Sequence, residues 1–364
     1  MKSIILSVLM IVVLAAGSIA AADDSWYVDV DTSLYSARDI EISGANGGFS
    51  YVNGTLHYWN SSQGYVTTDV STGATTVFGL PDGGVNSNGY GDAFGCYDST
   101  SNVFYAATIS GMSDAYIYAY DCTANQWLSS GSAVNAYGAD CYNGQLYFSG
   151  LTETWNGSTG QNNYISRYVV NTPYSESGLG LHDSIIETVG NSASMAIDNQ
   201  GNFYYATYDG YGSASALYKW DAALVCTVID DIVNGEDDEY LTLNQGTMLT
   251  QLNGGGNGIT VDDAGNVFVT INSGSDGSQV IMWNSSMGSG EGYNYDVIAT
   301  ADASMGWGWF GELDIDGNFL AGDSLYGSFG WQNPITEITC TIPEPTTIAI
   351  MAIGCMILRM RKKA

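Results

Sequence analysis

The amino-acid sequence predicts an all-β protein, a β-propeller of six blades with four antiparallel strands in each. Two observations lead there. The 364 residues include 46 Gly, 26 Tyr and 9 Trp but only 5 Pro and 8 Lys plus Arg, a composition suited to strands and tight turns. One short phrase also recurs six times through the middle of the chain. Together they exclude a helical bundle, a collagen-like repeat and a disordered chain.

The phrase is a polar turn between two apolar runs. It reads Tyr51-Val52-Asn53-Gly54-Thr55-Leu56, then Asp98 to Val103, Tyr142-Asn143-Gly144-Gln145-Leu146, Asp198-Asn199-Gln200-Gly201-Asn202-Phe203, Asp262-Asp263-Ala264-Gly265-Asn266-Val267 and Asp314-Ile315-Asp316-Gly317-Asn318-Phe319. Aligned on the last residue of each, the spacings are 47, 43, 57, 64 and 52, the period of four short strands with their turns. The phrase is a hairpin because Asp bonds the backbone ahead of it and Gly takes a positive φ without steric cost.

The elements follow in order around each phrase. Before it comes a strand of small residues, as in Asp92–Tyr97, Ala136–Cys141, Ser192–Ile197 and Gly258–Val261; these are expected at the crowded axis. After it comes an aromatic strand such as Asn202–Thr207. A third strand ends in an aromatic and a polar residue, as in Tyr120-Asp121, Trp220-Asp221, Trp283-Asn284 and Trp331-Gln332. A fourth closes the unit, clearest in Leu224–Ile229. Seven blades is the alternative count, because Asp231–Gly256 is long enough for an irregular strand pair. A β-sandwich array and a β-helix are the alternative architectures. Trp26–Val30 or Ile335–Thr341 is expected to add an outer strand to the last blade. Over residues 47–341 the repeat resembles the NHL and related bacterial propellers; the resemblance implies the fold and no particular chemistry.

The termini speak of delivery. Residues 1–22 read as a secretory signal, with Lys2 before the apolar run Ile4–Ala16 and small residues to Ala22. The tail runs Ile342-Pro343-Glu344-Pro345-Thr346-Thr347, an apolar stretch Ile348–Leu358, then Arg359, Arg361, Lys362 and Lys363. A polar motif, an apolar segment and a basic end form a stop-transfer design. This order resembles the PEP-CTERM sorting signal of Gram-negative bacteria over residues 342–364. The resemblance implies that Pro343, Glu344 and Pro345 are read by an exosortase, a membrane protease, and that the basic cluster stops the membrane anchor. The protein is then expected at the cell surface or in an exopolysaccharide matrix. The apolar stretch is 11 residues, short for a full span, so Thr346, Thr347 and Met360 and snorkelling basic side chains are needed as well. The domains are thus 1–22 signal helix, 23–342 propeller and 343–364 sorting signal with a short membrane helix.

Charge and cysteines bound the partners. Between residues 23 and 342 only Arg38, Arg167 and Lys219 stand against 37 acidic residues, so the body carries −34. Such a surface repels phosphate backbones, which excludes nucleic acid, and it repels anionic headgroups. With Cys355 in the anchor, the body holds Cys96, Cys122, Cys141, Cys226 and Cys340. Five is odd, so at least one stays free or pairs between molecules. No CxxC is present and only His57 and His182 occur, which argues against a Cys/His zinc site.

No catalytic residues are assigned. Neither histidine is flanked by a nucleophile motif, and there is no Gly-x-Ser-x-Gly. A pair of carboxylates for glycosidase or lyase chemistry is the enzymatic alternative. Calcium is considered at Asp230-Asp231 with Glu236–Glu239, at Asp262-Asp263 and at Asp314-Ile315-Asp316, although no complete calcium loop is present. Aromatics near blade entries, Tyr90, Tyr137, Trp307 and Trp309, with Trp155 in the segment Leu151–Asn162, are the candidate glycan platforms, because sugar C–H faces stack on rings.

Overall fold

The computed structural model describes residues 23–24, 28–42, 48–60, 62–81, 92–110, 114–128, 131–133, 138–151, 163–168, 182–188, 194–207, 215–235, 240–272, 278–301, 313–328 and 335–341. They form six separate sheets in chain order, antiparallel throughout except for one parallel pairing at the edge of the last. Blade one is Phe49–Val52, Thr55–Asn60, Gly64–Asp69 and Thr75–Gly79. Blade two is Asp92–Asp98, Val103–Ser110 and Asp114–Asp121, with the short strands Gln126–Trp127 and Gly131–Ala133 sharing its outer edge. Blade three is Gly138–Tyr142, Gln145–Leu151, Asn163–Tyr168 and His182–Thr188. Blade four is Met195–Ile197, Phe203–Ala206, Ser215–Trp220 and Thr247–Leu252. Blade five is Gly255–Val261, Val267–Asn272, Ser278–Trp283 and Asp296–Ala301. Each first strand packs against the next around the ring, and the first strand of blade six, Leu313–Ile315, packs against that of blade one. The architecture is a closed six-bladed propeller.

The Asp-x-x-Gly-Asn turns form as their chemistry requires. Asp198 Oδ1 accepts the backbone N–H groups of Gln200 and Asn202 at 3.0 and 2.8 Å, and Gly201 sits at φ 83°. Asp262 repeats this with Ala264 and Asn266 at 3.0 and 2.8 Å, and Gly265 at φ 80°. The small residues of the first strands are needed where blades meet. A Cβ on Gly48 would lie 1.7 Å from Gly95 N, and one on Gly256 would lie 2.4 Å from Ala206 Cβ. Aromatics fill the wider space farther out: between blades one and two, Tyr65 stacks on Phe104 at 4.4 Å and Trp59 on Tyr118 at 5.7 Å. Burying each such ring contributes roughly 1.5–3 kcal/mol.

Ring closure differs from expectation. The fourth strand of blade six is Tyr35–Ile40, paired antiparallel with Ile335–Cys340, which is that blade's third strand, and Asp23–Asp24 pairs parallel with Tyr35–Ile40 at the outer edge. Val28–Val30 pairs instead with Asp296–Ala301 at the outer edge of blade five. The N-terminal segment therefore straddles the last two blades. Arg38 pairs with Glu337 across the closing strands, and Thr336 Oγ1 donates to Asp39 Oδ1 at 2.8 Å.

Three further expectations are corrected. Leu224–Ile229 is not a strand but part of the helix Ala222–Asn234. Leu224, Val225, Val228, Ile229 and Ile232 recur at helical spacing and pack with Ile185, Trp220 and Leu241, so a 3.6-residue period outweighs the β-branched composition. Gly235 ends the helix at φ 69°. The fourth strand of blade four is Thr247–Leu252, and Asp231–Gly256 therefore holds no seventh blade. In blade six, Phe319 does not open the second strand. Phe319–Ala321 is one 3-10 turn and the strand is Ser324–Ser328, because Asp323 Oδ2 takes the N–H of Asn318 at 2.6 Å and extends the turn. Trp331, residues 1–22 and residues 342–364 lie outside the described residues. Among the described residues no helix is long and apolar enough to cross a membrane.

Candidate functional site

All six blades line one cavity on the propeller axis, of about 40 Å³, with Ser50, Cys96, Asp140, Ser194, Thr260 and Asp314 among its walls. The fold repeats one position here. Tyr51, Cys141, Ile197, Val261 and Ile315 each pair with the second strand of their own blade beside the hairpin. The residue before each is Ser50, Asp140, Ala196, Thr260 and Asp314; Cys96 before Tyr97 holds the same place in blade two.

At three seams the side chain at this position grips the neighbouring blade. Ser50 Oγ accepts the backbone N–H of Tyr97 at 3.0 Å, Asp140 Oδ2 that of Ile197 at 2.6 Å, and Asp314 Oδ2 that of Tyr51 at 2.6 Å. Both aspartates also accept their own next N–H, from Cys141 at 2.7 Å and from Ile315 at 2.8 Å. An innermost strand has a free backbone edge, and these side chains satisfy part of it.

The electrostatics follow from that burial. Asp140 is pushed up to about 7 by removal from water, against the pull of its two N–H donors. Asp314 is pushed up to about 8, again chiefly by burial, with Asp140 adding to the rise. The two sit three blades apart, on opposite sides of the axis. Around neutral pH the pair therefore holds protons that exposed carboxyls have lost. A cavity of about 40 Å³ has room for a few waters at roughly 10–15 Å³ each. It is far below the approximately 300 Å³ or more of an organic-ligand pocket.

The other acids considered for calcium are scattered. Asp230 and Asp231 lie on the helix, Asp262 is taken up by its hairpin, and Asp316 Oδ2 accepts the N–H of Asn53 at 2.9 Å across the closing seam. Glu236–Glu239 lie outside the described residues. Among the described residues no three His, Cys, Asp or Glu side chains come together to hold a metal. His57 is packed between blades, with Nδ1 2.6 Å from the Tyr65 hydroxyl and its ring stacked on Tyr97 at 4.0 Å. Burial lowers its pKa to about 4.

Tyr90, Tyr137, Trp155, Trp307 and Trp309 lie outside the described residues. The strands that flank them are described. Tyr90, Tyr137, Trp307 and Trp309 fall in segments preceding a first strand, and Trp155 falls between a second and a third strand. In an up-and-down blade, the strand ends flanking those segments all lie at the ring end opposite the Asp-x-x-Gly-Asn hairpins. Sequence reasoning missed the axial position. Its signal was a single polar residue inside a short apolar strand, as in Ala139-Asp140-Cys141 and Leu313-Asp314-Ile315.

No protein-family model matches the chain, and no curated protein matches it. Among solved structures it is similar to the PQQ-bound aldose sugar dehydrogenase of Streptomyces coelicolor, at 14% identity over 84% of this chain and 98% of that chain, with a TM-score of 0.52. It is also similar to a protein of unknown function from Bacteroides thetaiotaomicron, at 13% identity over 86% and 76% with a TM-score of 0.46. A third is the β-propeller domain of the Trilobed protease of Pyrococcus furiosus, at 8% identity over 80% and 79% with a TM-score of 0.42. The first likeness bears on the fold alone.

Proposed function

We propose that this is an exported, non-enzymatic propeller that serves as an adhesion or glycan-binding scaffold at the cell surface or in the extracellular matrix. In this reading the signal of residues 1–22 exports it, and an exosortase-type protease sorts it through Pro343, Glu344 and Pro345. Arg359, Arg361, Lys362 and Lys363 hold the anchor on the cytoplasmic side until then. The observation that carries the binding role is topological. The described strand ends that flank the segments bearing Tyr90, Tyr137, Trp155, Trp307 and Trp309 all lie on one side of the ring, which supports a binding role for that side. The narrow axial cavity favours that surface over the channel as the place of binding.

A glycan array probed with the exported chain tests it, with reducing ends assayed in parallel. Binding without release of reducing ends, reduced by Trp307→Ala with Trp309→Ala, is the expected result. Turnover of a bound polysaccharide would replace the reading with a carboxylate-dependent glycosidase or lyase. Mass spectrometry of the mature C-terminus tests the sorting step, and an intact Ala364 on surface-exposed protein counts against it.

A further inference from the structure

The seam between blades two and three is built differently from its neighbours. At the positions where Ser50, Asp140 and Asp314 grip the next blade's backbone, this seam has Cys96 in blade two facing Cys141 in blade three. The first strands that carry them, Asp92–Asp98 and Gly138–Tyr142, pack against each other. The two side chains sit in one apolar cluster with Phe94, Leu146 and Phe148. Both are thiols in the structure, as are Cys122, Cys226 and Cys340. Those three have other surroundings: Cys122 lies by the Tyr65 hydroxyl, Cys226 is exposed on the helix, and Cys340 is buried in the core between blades five and six.

We propose that Cys96 and Cys141 are a disulfide site, a covalent clamp that replaces the polar clamp of the other seams when the protein meets a disulfide donor. One thiolate attacks the donor disulfide, forming a mixed disulfide and expelling one donor thiol. The second thiolate then attacks the sulfur of the first, closing the Cys96–Cys141 bond and expelling the second donor thiol. The pair loses two electrons and two protons, and the donor disulfide is reduced to two thiols. Burial raises both thiols above their ordinary value and slows attack in the closed ring. The bond therefore forms while the seam is still open, during folding. It would tie residues 45 positions apart, removing chain entropy from the unfolded state. The odd cysteine count is then accounted for by one pair and three thiols in the body.

The test is a refolding of the purified full chain in glutathione buffers of increasing oxidised share, with acid quench, denaturation and maleimide labelling. Trypsin leaves Cys96, Cys122 and Cys141 on one fragment between Arg38 and Arg167, so pepsin at low pH is used for mapping. The expected result is a linked Cys96–Cys141 peptide pair, with labelling of those two cysteines falling in parallel by about tenfold while Cys122, Cys226 and Cys340 stay labelled. Cys141→Ser is expected to restore full labelling of Cys96. Recovery of Cys96 and Cys141 as labelled thiols at the oxidising end overturns the proposal, and so does Cys96 linked to a different cysteine. Because the oxidant is supplied in the tube, failure here leaves the export and glycan-binding reading untouched.

Discussion

Asp314 Oδ2 accepts the backbone N–H of Tyr51 at 2.6 Å, joining the innermost strands of the last and first blades. The same seam is reinforced by Tyr51 stacked on Tyr326 at 4.0 Å and by Asp316 accepting from Asn53 at 2.9 Å. Closure at the axis is thus a side chain-to-backbone device, and closure at the rim is a strand pairing. Asp314→Ala leaves a buried N–H without its acceptor. It is expected to cost about 1–3 kcal/mol, read as a lower midpoint in urea unfolding. A midpoint equal to wild type would show that the Asp314 side chain is dispensable for closure.

Asp140 and Asp314 give stability a defined pH dependence. Their folded values are raised to about 7 and about 8 from an ordinary 3.8. Between those limits the folded state holds more protons than the unfolded state, so stability is greatest at the acid end and declines as pH rises towards 8. Unfolding midpoints at pH 5 and pH 8 check this. Asp314→Asn removes one titrating group and is expected to make the decline shallower; an unchanged slope would remove Asp314 from the account.

His57 is expected to behave as a core residue. With its value lowered to about 4 by burial, the ring stays neutral through the physiological range, and protonation is expected only well below the ordinary 6.5. An imidazole NMR titration with a midpoint near 6.5 would contradict the packing between Tyr65 and Tyr97.

Two glycines separate close approach from turn strain. Gly48→Ala places a Cβ 1.7 Å from Gly95 N, with backbone on both sides, and is expected to cost well over 2 kcal/mol or prevent folding. Gly265→Ala meets open space but must hold φ 80°, at a cost of roughly 1–2 kcal/mol. Thermal melts of the two variants read the order directly, and a milder effect at Gly48 would be evidence against the tight seam between blades one and two.

The rim closure can be tested by removal. A chain lacking residues 23–42 loses the strand Tyr35–Ile40 and exposes the edge of Ile335–Cys340. It is expected to lose cooperative unfolding and to self-associate through that edge, seen as a broadened melt and a larger species in size-exclusion chromatography. A monomer with a wild-type melt would mean that the ring holds without its outer strand.

The sequence by itself determined the six-fold repeat and its hairpin turns, and left a seventh blade open. These rest on local chemistry: Asp98, Asp198 and Asp262 bond backbone within four residues of themselves, and Gly201 and Gly265 supply a conformation that other residues strain to adopt. Composition likewise decided the strongly acidic body. The tertiary structure alone decided which strand closes the ring, because Tyr35–Ile40 and Ile335–Cys340 are nearly 300 residues apart and no local pattern links them. It also decided that Leu224–Ile229 is helical, since its apolar stripe is stabilised only by Ile185 and Trp220 brought from elsewhere. The axial position was hidden for the same reason. Ser50, Asp140 and Asp314 read as unrelated polar residues until six first strands converge on one axis, where each side chain meets a backbone N–H that belongs to the next blade.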